Sequence, residues 1–178
     1  ILCKIKPIEI YSLACSLIPG DSFGKIGEKL KLATFGSQII FEIIAQNNIH
    51  TKIFNASSSE IFGKVKDVPQ NENTEKKPQN PYGVAKLYSY NSAKVYRDRY
   101  NLYISTGILY GHESVRRKYK YFVMKVAYAA ACLKMGIKTS TILNEIGEPI
   151  VLDGKIKIGN LYVKRDWGYS KDFVSAYW

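Results

Sequence analysis

Two stretches hold residue types that could do acid–base chemistry together: Ser57-Ser58-Ser59-Glu60 and Asn80-Pro81-Tyr82-Gly83-Val84-Ala85-Lys86. A tyrosine and a lysine four apart on a helix share one face, so the Lys86 ammonium can lie beside the Tyr82 phenol. A free phenol ionises near pH ~10, and a fixed cation lowers that value towards the range where a phenolate can take a substrate proton. Tyr90/Lys94 and Tyr121/Lys125 repeat the spacing, so spacing does not choose among the three. Context does: Asn80 can cap the helix, Pro81 suits its first turn, and the hydroxyl-and-carboxylate cluster lies upstream at a strand end. Ser57 to Glu60 also satisfies the Ser-x-x-Glu capping box, which needs no chemistry. Joined to Tyr82 and Lys86, the cluster reads as catalytic.

Such residues must be held by elements, and the chain supplies them in alternation. Ile8 to Ala14 reads as a strand, apolar on both faces as buried parallel strands are. A loop with Gly20, Gly24 and Gly27 follows, then a helix from about Glu28 to Asn47 whose Leu32, Phe35, Ile39, Ile40, Ile43 and Ile44 form a broad apolar face. The glycine spacing is not Gly-x-Gly-x-x-Gly, and no acidic residue ends a second strand ~20 residues on, so this is not a dinucleotide fingerprint. Thr51 to Ser57 is the next strand, and it delivers Ser58 and Glu60 to the carboxyl end, where parallel sheets collect ligands. A polar loop with Pro69 and Pro78 leads to a helix from Pro81 to about Tyr100 and a strand over Asn101 to Tyr110. The alternation predicts an α/β fold, a Rossmann-like doubly wound parallel sheet with right-handed connections. Further on, Tyr121 to Met135 reads as a helix, and Glu148 to Gly159 as a β-hairpin turning at Asp153-Gly154. Arg165 to Asp172 reads as a strand end and helix start capped by Ser170 or Asp172.

The chain has 178 residues, enough for one domain with a sizeable core. A net charge of +11 raises nucleic acid as a partner. The lysines are scattered, however, and only Arg116 to Tyr121 concentrates charge with aromatics, so a lysine-solvated surface is the reading taken and nucleic acid is set aside. Cys3, Cys15 and Cys132 are an odd number without metal-type spacing, consistent with a reduced compartment. No run reaches the ~18 apolar residues of a membrane span. The apolar Ile10 to Ile18 stretch makes a poor signal core, since Glu9 interrupts its flank. A cytoplasmic protein with no membrane and no metal is expected.

Four blocks taken together resemble the GDP-mannose 4,6-dehydratase family of extended short-chain dehydrogenases. They are Ala-Ser-Ser-Ser-Glu-Ile-Phe-Gly, Asn-Pro-Tyr-Gly-Val-Ala-Lys-Leu-Tyr, Gly-Ile-Leu-Tyr-Gly-His-Glu-Ser-Val-Arg-Arg and Lys-Arg-Asp-Trp-Gly-Tyr-Ser-Lys-Asp-Phe-Val, in the family's order from about Ile8 to Trp178. The resemblance implies Ser58, Glu60, Tyr82 and Lys86 as catalytic residues, and NADP as cofactor, held by Tyr82, Lys86, His112 and Arg117. A lone His112 would otherwise read as structural. It implies GDP-mannose as substrate, with Arg165 near the nucleotide sugar, and a substrate-binding part to which about 112–178 contribute. It further implies a homo-oligomer at full length, and a longer chain whose glycine-rich turn precedes Ile1.

In the implied reaction, Tyr82 removes the 4-hydroxyl proton as hydride leaves C4, and Glu60 then takes the C5 proton and helps water leave from C6. Hydride returns to C6, for no net oxidation. Epimerases of the wider family lack a carboxylate at the Glu60 position, which favours a dehydratase. Another extended short-chain nucleotide-sugar dehydratase or epimerase, or a non-catalytic relative, is the alternative. The chain departs from the family pattern at Ser58 for Thr, Ala33 and Gly111 for Asn, Val115 for Pro, and Ser16-Leu17-Ile18-Pro19 for Gln-Ser-His-Val.

Overall fold

The computed structural model describes residues 1–15, 26–65, 68–119, 121–144 and 146–178. Gly20, Gly24 and the departure at 16–19 therefore lie outside the described residues. The chain divides into one compact unit of residues 1–109 with Tyr177, and another of 110–176 with Trp178.

The first unit carries a parallel sheet. Its elements are α1 (Leu2–Ile5), β1 (Glu9–Ser12), α2 (Ile26–Gln46), β2 (Lys52–Ala56), α3 (Pro81–Tyr100) and β3 (Tyr103–Gly107). The strands lie in the order β1-β2-β3, in a register that lines Ile10, Ile53 and Ile104 across the sheet. Ile53 and Ile104 join Phe41, Ile44, Ile49 and Ala93 in the core. Two parallel neighbours need a crossover of a dozen or so residues, which α2 and α3 provide. Both helices pack on the same face, because Asn55 of β2 receives a hydrogen bond from Ser37 of α2 at 3.2 Å and another from Ser89 of α3 at 3.0 Å. This is the α/β, Rossmann-like arrangement that the alternation predicts.

Helix α3 has the bounds expected of it. Asn80 accepts a hydrogen bond from the Gly83 amide at 2.8 Å, Pro81 occupies the first turn, and Asn101 closes the helix in a left-handed conformation with φ 52°. The apolar face read for α2 is only half buried. Phe41 and Ile44 are sealed in the core with Ile40 and Ile43 against it, whereas Leu32, Phe35 and Ile39 stay exposed. Isoleucines or phenylalanine at 39, 40, 41, 43 and 44 wrap more than one side of the helix, and the sheet takes only the side that Phe41 and Ile44 define.

The second unit is built from shorter pieces: β4 (Gly111–Glu113), α4 (Phe122–Lys134), β5 (Val151–Leu152), β6 (Lys155–Ile156), β7 (Trp167–Tyr169) and α5 (Ser170–Tyr177). Strands β4 and β7 pair in parallel. The hairpin β5-β6 turns at Asp153 and Gly154, whose φ values of 51° and 72° both lie in the left-handed region that a type I′ turn demands. Its strands are only two residues each, shorter than the Glu148 to Gly159 span read for the hairpin. The expected cap on α5 is not made. Tyr169 stands at the N-cap without a side-chain bond, and Ser170 instead donates to the Glu113 carbonyl at 3.1 Å, tying the helix start to β4. Among the described residues no helix is long and apolar enough to cross a membrane.

Candidate functional site

The carboxyl end of β2 runs into a single 3-10 turn, Ser59–Ile61, that presents the serine-glutamate cluster. The backbone stays fastened to the chain after β3: Ser57 N–H donates to the Gly107 carbonyl and Ser59 N–H to the Leu109 carbonyl, both at 2.9 Å. The cap on this turn is Ser58, which accepts from the Glu60 amide at 3.3 Å. Ser57, the residue the capping-box spacing selects, is engaged elsewhere, since its hydroxyl donates across to the Lys86 carbonyl of α3 at 3.3 Å.

Glu60 and the start of α3 are joined through one side chain. Asn80 donates its amide to a Glu60 carboxylate oxygen at 2.9 Å while its own oxygen caps the helix. Gly83 permits this close approach, because a Cβ there would stand 2.5 Å from the Glu60 carbonyl oxygen. The carboxylate is therefore held against the first turn of the helix that carries Tyr82, whose exposed backbone N–H groups favour negative charge nearby.

Lys86 is buried, and its ammonium lies 5.8 Å from the centre of the Tyr82 ring. It donates to the Ala56 carbonyl at 2.7 Å. Burial pushes its pKa below the ordinary lysine value, and the neighbouring Cys15 thiol opposes that shift. An ammonium has three N–H bonds. With one directed at Ala56, the group has the right donors for the hydroxyls of a ribose, so the residues present fit a nicotinamide nucleotide.

The other two Tyr-x-x-x-Lys pairs separate from Tyr82 by their partners. The cation over the Tyr90 ring is Lys76, at 5.2 Å, and the one over Tyr121 is the Arg117 guanidinium, at 3.7 Å. Tyr82 has its own fourth-neighbour lysine, Lys86, over its ring.

His112, Arg117 and Arg165 belong to the second unit. His112 Nδ1 lies 2.8 Å from the Tyr110 carbonyl, which fixes a proton on that nitrogen, and its ring stacks on Phe173 at 4.0 Å. Arg117 is gripped by Glu113, with Nε 3.6 Å from a carboxylate oxygen, and by the Tyr121 ring. Arg165 lines a cavity of about 290 Å³ together with Lys125, Asn160 and Trp167. Gly111 packs where a Cβ would press on the Trp167 ring and stand 2.8 Å from the Asp166 carbonyl, so a larger side chain at this departure would have to displace β7.

Sequence reasoning does not find the Ala56 carbonyl, Asn55 or Ser89, and it gives Cys15 no place beside Lys86. Glu113 had a legible signal, its four-residue spacing from Arg117.

A family model described as GDP-mannose 4,6 dehydratase matches residues 1–178. The GDP-mannose 4,6 dehydratases of Cricetulus griseus and Homo sapiens are each 33% identical over 180 residues, covering all of this chain and 44% of the relative. The chain thus spans less than half the length of those relatives. A structure of RMD from Pseudomonas aeruginosa complexed with NADPH superposes with a TM-score of 0.79 at 20% identity, over 96% of this chain and 54% of the other. A dTDP-glucose 4,6-dehydratase from Streptomyces venezuelae with NAD and DAU bound gives 0.75 at 14% identity, over 99% of this chain and 49% of the other.

Proposed function

We propose, from the premise that the chain belongs to the GDP-mannose 4,6-dehydratase family, that it is the catalytic portion of an enzyme converting GDP-mannose to GDP-4-keto-6-deoxymannose. The observation that carries this reading is the Asn80 bridge, which ties a carboxylate to the helix bearing a tyrosine and its buried lysine.

Tyr82, as phenolate beside the Lys86 cation, takes the proton of the sugar 4-hydroxyl. NADP, held by Tyr82, Lys86, His112 and Arg117, would supply the hydride acceptor and donor that oxidation at C4 and reduction at C6 require. The C4 ketone acidifies the C5 proton, which Glu60 removes. Glu60 then passes the proton to the departing C6 hydroxyl, so that water leaves and the carboxylate is restored, and the proton held on Tyr82 goes to C5 as the resulting double bond is reduced, which restores the phenolate. Ser58 donates a hydrogen bond to the sugar, and Lys86 holds the nicotinamide ribose. His112 and Arg117 contact the cofactor, and Arg165 serves the nucleotide sugar as part of a substrate-binding contribution from about 112–178. The full-length enzyme works in the cytoplasm as a homo-oligomer. A carboxylate so placed has no role in a simple 4-epimerisation, which favours the dehydratase within the wider family.

The test is turnover of GDP-mannose by the full-length protein, wild type against Glu60→Gln and Tyr82→Phe. Each variant is expected to lose about 10²- to 10⁴-fold in kcat, the range for removing a positioned acid–base group. A wild type loaded with NADP that leaves GDP-mannose unchanged would sink the proposal.

A further inference from the structure

Beneath the reacting residues lies a second, buried layer of polar groups. Asn55, Ser57 and Ser89 are 1%, 2% and 3% exposed. A buried polar side chain costs stability unless it is hydrogen-bonded, and each of these three bonds across the contact between β2 and α3, with Asn55 also accepting from Ser37 of α2 at 3.2 Å. Asn55 accepts from the Ser89 hydroxyl at 3.0 Å and turns its amide towards the Ser89 carbonyl at 3.4 Å. Ser57, two residues on and on the same side of the strand, donates to the Lys86 carbonyl at 3.3 Å. Between them, Ala56 offers its carbonyl to the Lys86 ammonium at 2.7 Å.

Three successive residues at the carboxyl end of β2, Asn55, Ala56 and Ser57 just beyond it, thus engage one turn of helix. Ser57 and Asn55 grip α3 at Lys86 and Ser89, and the side chain of Lys86 reaches back to the strand residue between them. A helix gripped at two points three residues apart can neither slide along the strand nor rotate about its axis. A shift of either kind would move Lys86 and Tyr82 together relative to β2 and carry the Lys86 ammonium off the Ala56 carbonyl.

We propose that Asn55, Ser57 and Ser89 form a positioning clamp that sets where Lys86 presents its ammonium. The proposal rests on the reading of Lys86 as the cation that serves Tyr82, and the three clamp residues act through that side chain's placement. Their polarity is used for placement, since apolar residues of the same size would fill the space with no preference for register.

The clamp is tested in the full-length protein with Ser57→Ala, Asn55→Leu, the conservative Ser57→Thr, and Ile53→Val as a control on the same strand face. Two readouts are taken. The first is competitive labelling of lysines with acetic anhydride, which reports the exposure and reactivity of Lys86 without turnover. The second is kcat and KM for GDP-mannose.

Lys86 labelling is expected to rise severalfold in Ser57→Ala and Asn55→Leu, to stay near wild type in Ile53→Val, and to return towards wild type in Ser57→Thr. In parallel, kcat falls by about tenfold or more with little change in KM, as misplacement of an orienting group predicts. Lys86 labelling in Ser57→Ala no greater than in Ile53→Val overturns the clamp. Should Asn55→Leu fail to fold, Ser57→Ala, which removes a single bond, decides alone. Labelling that responds as expected in a protein that leaves GDP-mannose unchanged upholds the clamp and discards only the dehydratase reading.

Discussion

Helices α2 and α3 lie on the same face of the sheet and have nearly equal lengths, 21 and 20 residues, yet they are buried by opposite means. The buried positions of α2 are Phe41 and Ile44, large apolar side chains that hold the helix axis away from the strands. Those of α3 are Gly83, Ala85, Lys86, Ser89 and Ala93, small or polar without exception. Small residues let α3 approach until side chains of β2 can bond its backbone, as Ser57 does at the Lys86 carbonyl. A helix held off by phenylalanine and isoleucine could not be gripped that way. Bulk anchors one helix, and proximity registers the other, which is the one that carries Tyr82 and Lys86.

The comparison breaks most severely if the bulky anchor is removed. Phe41→Ala is expected to cost about 3–5 kcal/mol in chemical denaturation, whereas Leu32→Gln on the exposed part of the same helix should stay within about 0.5 kcal/mol. Similar losses at both positions would mean that α2 is buried along its whole apolar stripe.

A smaller effect is expected where proximity is the means. Gly83→Ala puts a methyl group against the Glu60 carbonyl, and should cost about 1–3 kcal/mol while lowering kcat, since the strain is relieved by moving the start of α3. A variant with wild-type stability and kcat would show the approach to be slack.

The smallest effect sharpens the role of Lys86. Burial lowers its pKa in the folded protein below the ordinary value. Its charged form therefore costs stability in full below the folded pKa, and the cost is relieved as pH rises from there to the unfolded value of ~10.4. Lys86→Met lacks this dependence. Paired denaturation curves should show wild type gaining on the variant as pH rises towards the unfolded value of ~10.4, and a constant difference would contradict the burial argument.

These contrasts also mark what the sequence could reveal. The bounds of α3 were legible because Asn80, Pro81 and Asn101 are local signals, each acting on backbone within a few residues. The identities of Glu60, Tyr82 and Lys86 as chemical groups were legible from type and spacing. Their fastening was not, because Ser57 meets Lys86 across 29 residues and Asn55 meets Ser89 across 34, and no local pattern encodes such pairs. The apolar stripe of α2 was over-read for a related reason: periodicity marks the residues able to be buried, and the partner surface decides how many are. The serine cap fell on Ser58 because Ser57 was already engaged by α3, a competition visible only once the helix is in place.

The Asn80 bridge has a bearing on how the protein ages. Asparagine side chains are lost over time when the following backbone nitrogen attacks the amide, a ring closure that proceeds to aspartate. Here the following residue is Pro81, whose nitrogen carries no hydrogen and is a poor nucleophile for that closure. Conversion would set a second carboxylate against Glu60, and two such groups in contact share a proton between them. The proline that begins the helix therefore also shields the charge state of the carboxylate beside it from chemical wear.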